Sequence, residues 1–140
     1  MSNDLKQELT NDLEFSSLNI SDKLSNHANI HVKWMDRLTK ERVVLAKLNI
    51  DKKRIVRNAV SFLQGRTLNK ENQKCPFVLD RWEVKDVYLP AHEDVVNIDK
   101  KIILQQTKVK ELEAACDQIK QLYWNMKSYI EWQKFEAGIN

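Results

Sequence analysis

The chemistry this sequence can offer is concentrated in the basic side chains of its middle third. Lys33, Arg37, Lys40, Lys47 and Arg54 fall within about 100° of one another when wound at the pitch of an α-helix, with Leu38, Leu45 and Val56 facing the other way. Lys52, Lys53, Arg57 and Arg66 extend the positive character to the end of that segment and into the loop beyond. Residues 33–74 hold 12 basic and four acidic side chains, a net of +8, against −3 for residues 1–32 and −2 for residues 75–140. A solvated face is the plainer reading of any charge run, but such a face usually mixes signs at i,i+4. Only Asp36, Glu41 and Asp51 lie between Lys33 and Arg66. A stripe of this kind suits the backbone of a polyanion. Trp34 and Phe62 are the only rings in the stretch, so phosphate contacts should outweigh stacking on bases. The expectation is sequence-independent, strongly salt-dependent binding of nucleic acid.

Other constellations offer less. His27 and His31 stand one helical turn apart and could fill two corners of a metal site, but no third ligand is indicated, and beside an apolar seam histidine is more often a packing or interface residue. No metal or cofactor is expected. Cys75 and Cys116 form neither a CxxC pair nor a disulfide framework and read as reduced thiols. No serine sits on a glycine-flanked elbow and neither cysteine comes with a cue for a base, so no enzyme signature is present. Tyr123, Trp124, Tyr129, Trp132 and Phe135 crowd the last segment. Aromatic residues at helical spacing without local positive charge point to core or subunit interface more than to a platform for bases.

The elements that must position these groups are long helices. Only two of 140 residues are glycine and two are proline, whereas glycine usually makes up about 7% of a chain. Turn-rich sandwiches, barrels and doubly wound sheets need more residues of positive φ than this, and glycine-clustered phosphate loops are excluded. No run approaches the ~18 apolar residues of a membrane span, and Met1 to Leu5 lack the basic start of an export signal; a soluble intracellular protein with no membrane partner is the default.

Gly65, Pro76 and Pro90 share one central stretch and Gly138 lies near the end, so both flanks are free of breakers. Leu24, Ala28, Trp34, Leu38, Leu45, Leu48, Ile55, Ala59 and Phe62 predict a helix over 19–64, capped by Asn19 or Ser21 and stopped by Gly65 in a left-handed C′ conformation. Val95, Ile98, Ile102, Val109, Leu112, Cys116, Ile119, Tyr123, Met126 and Ile130 predict a second over 94–137, with Asp94 or Asn97 as cap, on a seven-residue repeat that implies a left-handed supercoil. A short helix within 1–16 precedes them, with Leu5, Leu9 and Leu13 on one side. Residues 65–93 read as a loop and then, across Phe77 to Leu89, one or two short strands, rich in β-branched and aromatic residues and bracketed by prolines. The expected architecture is a mostly α single domain, 1–140, in which two long helices form a hairpin or coiled coil joined by a strand-prone connector. Two helices of roughly 65 Å leave apolar surface wet as a lone pair, so self-association is expected.

Phe77, Asp80, Arg81, Trp82 and Glu83 fit a Phe-x-x-Asp-Arg-aromatic-Glu segment, Phe135 to Gly138 a Phe-Glu-Ala-Gly end, and Lys33-Trp34 and Gly65-Arg66 stand at matching spacing in the basic helix. In these features the chain resembles the UvsY-type recombination mediator proteins of T-even-like phages. The resemblance implies a non-catalytic accessory factor in the host-cell cytoplasm. It implies a ring-like homo-oligomer that binds single-stranded DNA and helps load the phage recombinase onto strands covered by single-strand-binding protein. It also implies DNA contacts near the end of the long helix. Lys52, Lys53 and Arg57 match them, but Ala59 stands where a further basic residue is expected, leaving Arg54 or Arg66 as substitutes. A prefoldin-like chaperone or scaffold would share the expected architecture, but a holdase needs exposed apolar tips rather than a basic flank.

Overall fold

The structure, a computed structural model, describes residues 1–138. It opens with α1 (Asn3–Leu13), whose N-cap Ser2 accepts a hydrogen bond from the Leu5 N–H at 3.3 Å. The 44-residue α2 (Ile20–Leu63) begins directly after Asn19. It ends as the expected C′ glycine requires: Gly65 has φ +75°, its N–H donates to the Phe62 carbonyl, and the Arg66 N–H donates to the Ser61 carbonyl, both at 2.9 Å. Those two bonds form a Schellman motif, which satisfies carbonyls the helix would otherwise leave open.

The connector departs from expectation, because no strand forms among the described residues. Residues 66–80 are irregular, tied at Asn69, whose side-chain oxygen accepts from the N–H groups of Glu71 and Gln73 at 2.9 and 2.8 Å. From Arg81 the segment expected to be extended is helical, as α3 (Arg81–Glu83), a π-helical turn over Val84–Tyr88, and α4 (Leu89–Ala91). The physical reason lies at its ends. Asp80 and Glu83 stand at capping-box spacing, with Glu83 accepting from the Asp80 N–H at 3.2 Å, and Pro90 falls just after the π-helical turn, a local irregularity of the kind that accompanies a proline within a helical run. These local signals outweigh β-propensity, which mainly reports fit to a sheet that is not there.

The 44-residue α5 (Glu93–Glu136) starts one residue before Asp94, one of its expected caps. His92 takes the capping position instead. Its ring Nδ1 accepts from the Asp94 N–H at 3.3 Å and its carbonyl from the Val96 N–H at 2.9 Å.

Two compact units divide the chain. In the first, residues 1–41 with the chain from Lys108 onward, α2 and α5 run antiparallel, His27 meeting Ile119 and Glu41 meeting Lys108. Its core joins Ile30, Trp34 and Leu38 to Val109, Leu112, Ala115, Cys116, Ile119, Leu122 and Met126. Ala28, expected in the seam, is exposed, and Ile30 is buried in its stead. In the second unit, residues 42–107, the buried side chains are Ala59, Leu63, Val84, Val95, Ile98 and Ile102, with Gln105 filling the heptad position that the apolar pattern skipped. No helix among the described residues is long and apolar enough to cross a membrane.

Candidate nucleic-acid interface

All nine candidate cations belong to α2 or follow it, but the structure divides them by what they already hold. In the first unit, α1 lies over the start of the stripe. Lys33 Nζ reaches Asp12 at 2.6 Å and Glu8 at 2.9 Å, and Arg37 Nη2 reaches Glu8 at 2.9 Å. The Trp34 indole N–H donates to the same Asp12 oxygen at 2.8 Å, while the Arg37 guanidinium stacks 4.8 Å from the centre of that ring. Lys40 pairs with Asp36, one turn back, at 3.0 Å. The hydrogen bonds from Arg37 and Lys33 hold the Glu8 carboxyl below its ordinary value of 4.5. Burial works against the charge of Lys33, yet Asp12 and Glu8 outweigh it and raise the ammonium above 10.5.

The second unit presents its cations differently. Lys47, Lys53, Arg57 and Arg66 are exposed, and none has an acidic partner among the described residues. Lys52 is held by Asp99 of α5 at 2.8 Å, and Arg54 has Asp51 at 3.5 Å on its own helix. Lys47, Arg54, Arg57 and Lys53 span about 120° of the helix surface, opposite the buried Ala59 and Leu63. Ala59 is only 3% exposed, so the position where a further basic residue is expected lies in the core. Lys70 and Lys74, part of the +8 segment but off the helical stripe, are also exposed cations of the connector. A cavity of about 450 Å³ in the same unit is lined by Phe62, Leu68 and Lys70 but also by Glu71, Glu93 and Asp94, which makes it a poor seat for a phosphate.

The His27 Nε2–H donates to the Ile119 carbonyl at 2.6 Å, and the ring stacks on His31 at 6.3 Å between centres, a packing role. Among the described residues neither cysteine forms a disulfide; Cys116 is buried and Cys75 half-buried. Of the terminal aromatic residues, Tyr123 and Tyr129 are half-buried, whereas Trp124, Trp132 and Phe135 are 58%, 56% and 69% exposed and outside the core.

This fold of two long helices is shared with known proteins. Residues 8–139 match the family described as "Recombination, repair and ssDNA binding protein UvsY". The chain belongs to the UvsY family. It is thus a member of a family of recombination, repair and single-stranded-DNA-binding proteins. The recombination protein uvsY of Enterobacteria phage T4 is 23% identical over 137 residues, which cover 96% of each chain. Crystal structures titled as the bacteriophage T4 recombination mediator protein UvsY are similar to this UvsY-family chain with a TM-score of 0.84 in lattice types II and I. Identities are 22% and 21%; the first match covers 98% of each chain, the second 96% of this chain and 99% of that one. At that identity the structural likeness establishes the fold.

Proposed function

We propose that this UvsY-family protein binds single-stranded DNA without regard to sequence, through the exposed cations of the second half of α2, and promotes loading of a recombinase onto strands covered by single-strand-binding protein. The observation that carries this reading is the set of unpaired, exposed Lys47, Lys53, Arg57 and Arg66 within one unit. Their charges are available to phosphates without first breaking an internal ion pair. Arg54, whose partner Asp51 is 3.5 Å away, joins them at modest cost because exposed pairs contribute little.

Self-association gives the site its strength, since several weak patches acting on one flexible strand multiply their effective concentration. Exposed apolar side chains away from the cations support it: Trp132 and Phe135, 56% and 69% exposed, stack on each other in the open. The setting is the host cytoplasm during phage recombination and repair, and the protein acts by remodelling the strand rather than by chemistry. Arg54→Glu with Arg57→Glu tests the reading on bare and on protein-covered strands. Two charge-assisted contacts of at least ~1.5 kcal/mol each predict a loss on the order of a hundredfold on bare DNA, with the oligomer intact by sedimentation. Unchanged affinity would remove the site. Absence of any ternary complex on covered strands for the unsubstituted protein would remove the loading step.

A further inference from the structure

We infer that Lys33, Trp34 and Arg37 form a second phosphate-binding cradle, masked in the free protein by the acidic face of α1. The inference rests on the DNA-binding reading above and extends it to a surface that reading leaves out. Three donors of different kinds converge there: the Lys33 ammonium, the Trp34 indole N–H and the Arg37 guanidinium. They meet two carboxylates, Glu8 and Asp12, set one helical turn apart, about 6 Å along the axis. Two anionic groups at that separation, met by cations and N–H donors, reproduce what neighbouring phosphates on a strand would present.

Two further observations make α1 a cover rather than a structural part of the cradle. No residue of α1 is buried. Its grip combines the half-buried Leu5, Leu9 and Leu13 with polar contacts, including Lys23 Nζ to the carbonyls of Asn11 and Asp12 at 2.6 and 3.2 Å and the ion pair of the Met1 amino group with Glu111. An 11-residue helix is marginal without tertiary support, so a helix held this way can be released at low cost. The cradle also has capacity that α1 does not use. Arg37 Nη1 is buried with no hydrogen-bond partner among the described residues, whereas a phosphate could take both guanidinium nitrogens at once. Leu13 and Phe15 pack against the cluster of Ile20, Leu122 and Met126, which keeps a released α1 tethered beside the site.

The test is the dependence of single-stranded DNA affinity on salt for the full chain carrying Glu8→Gln and Asp12→Asn. Each new phosphate contact adds about 0.7 to the slope of log affinity against log salt, so two unmasked cations should steepen it by up to about 1.4 and raise low-salt affinity. Adding Lys33→Gln and Arg37→Gln should abolish the gain. An unchanged slope with helix content intact by circular dichroism overturns the inference. Should the double variant lose helix content, Glu8→Gln alone, which leaves the Trp34 acceptor in place, is read on the same plot, where a gain of about 0.7 supports the cradle and none overturns it. If the unsubstituted protein does not bind DNA, the reading underneath fails and the cradle falls with it; binding by that protein without a change in the variants refutes the cradle alone.

Discussion

The two halves of α2 carry similar basic side chains and present them to opposite effect. Around Lys33 and Arg37 the charge is spent internally, on Glu8 and Asp12 of a helix 21 to 29 residues earlier in sequence. Lys53 and Arg57 themselves face water with no ion-pair partner among the described residues. A helical wheel cannot separate these stretches, because it records where a side chain points on its own helix and nothing about what another element brings to it. A charge run is therefore only as available as its surroundings allow, and the acidic excess of residues 1–32 settles which half of the stripe is free.

The largest expected effect comes from removing the ring on which the covered half is built. Trp34 is wholly buried, bonded to Asp12 and stacked under Arg37. Trp34→Ala should cost about 3–5 kcal/mol of stability, measured by denaturant unfolding, while the folded fraction keeps its salt slope on single-stranded DNA. A loss of slope as well would mean that the two halves are not separable.

A smaller effect follows from the titration of Glu8. Its folded-state value lies below the ordinary 4.5 because Arg37 and Lys33 favour the charged form. The stabilisation is therefore fully present above about pH 4.5 and is lost as the pH falls through the depressed value. The unsubstituted protein should be more stable than Glu8→Gln at neutral pH by the fraction of a kcal/mol usual for a part-exposed pair, seen as a higher thermal midpoint, and the gap should close on acidification. A gap independent of pH would show that the pairing does not hold α1 down.

Much of this could be read from residue types alone because it depends on local rules. Two long helices follow from flanks without breakers, and the end of α2 from Gly65, whose positive φ is the conformation a C′ residue needs. The connector misled because Phe77 to Leu89 has the composition of a strand, while a capping pair at Asp80 and Glu83 decides for helix over a few residues. Gln105 escaped notice because a polar residue interrupts an apolar count without leaving the seam. The basic stripe was legible as charge. Its division was not, since the pairing of Glu8 with Lys33 and Arg37 joins residues 25 and 29 positions apart, and no periodicity within either helix encodes it.

The most direct test of this division compares Lys33→Gln/Arg37→Gln with Lys53→Gln/Arg57→Gln, each made in the otherwise unsubstituted protein, on the slope of log affinity for single-stranded DNA against log salt. With α1 in place, the first pair should leave the slope nearly unchanged. The second should reduce it by about 1.4, at about 0.7 per lost phosphate contact. Equal losses in the two pairs, or a larger loss in the first, would contradict the account.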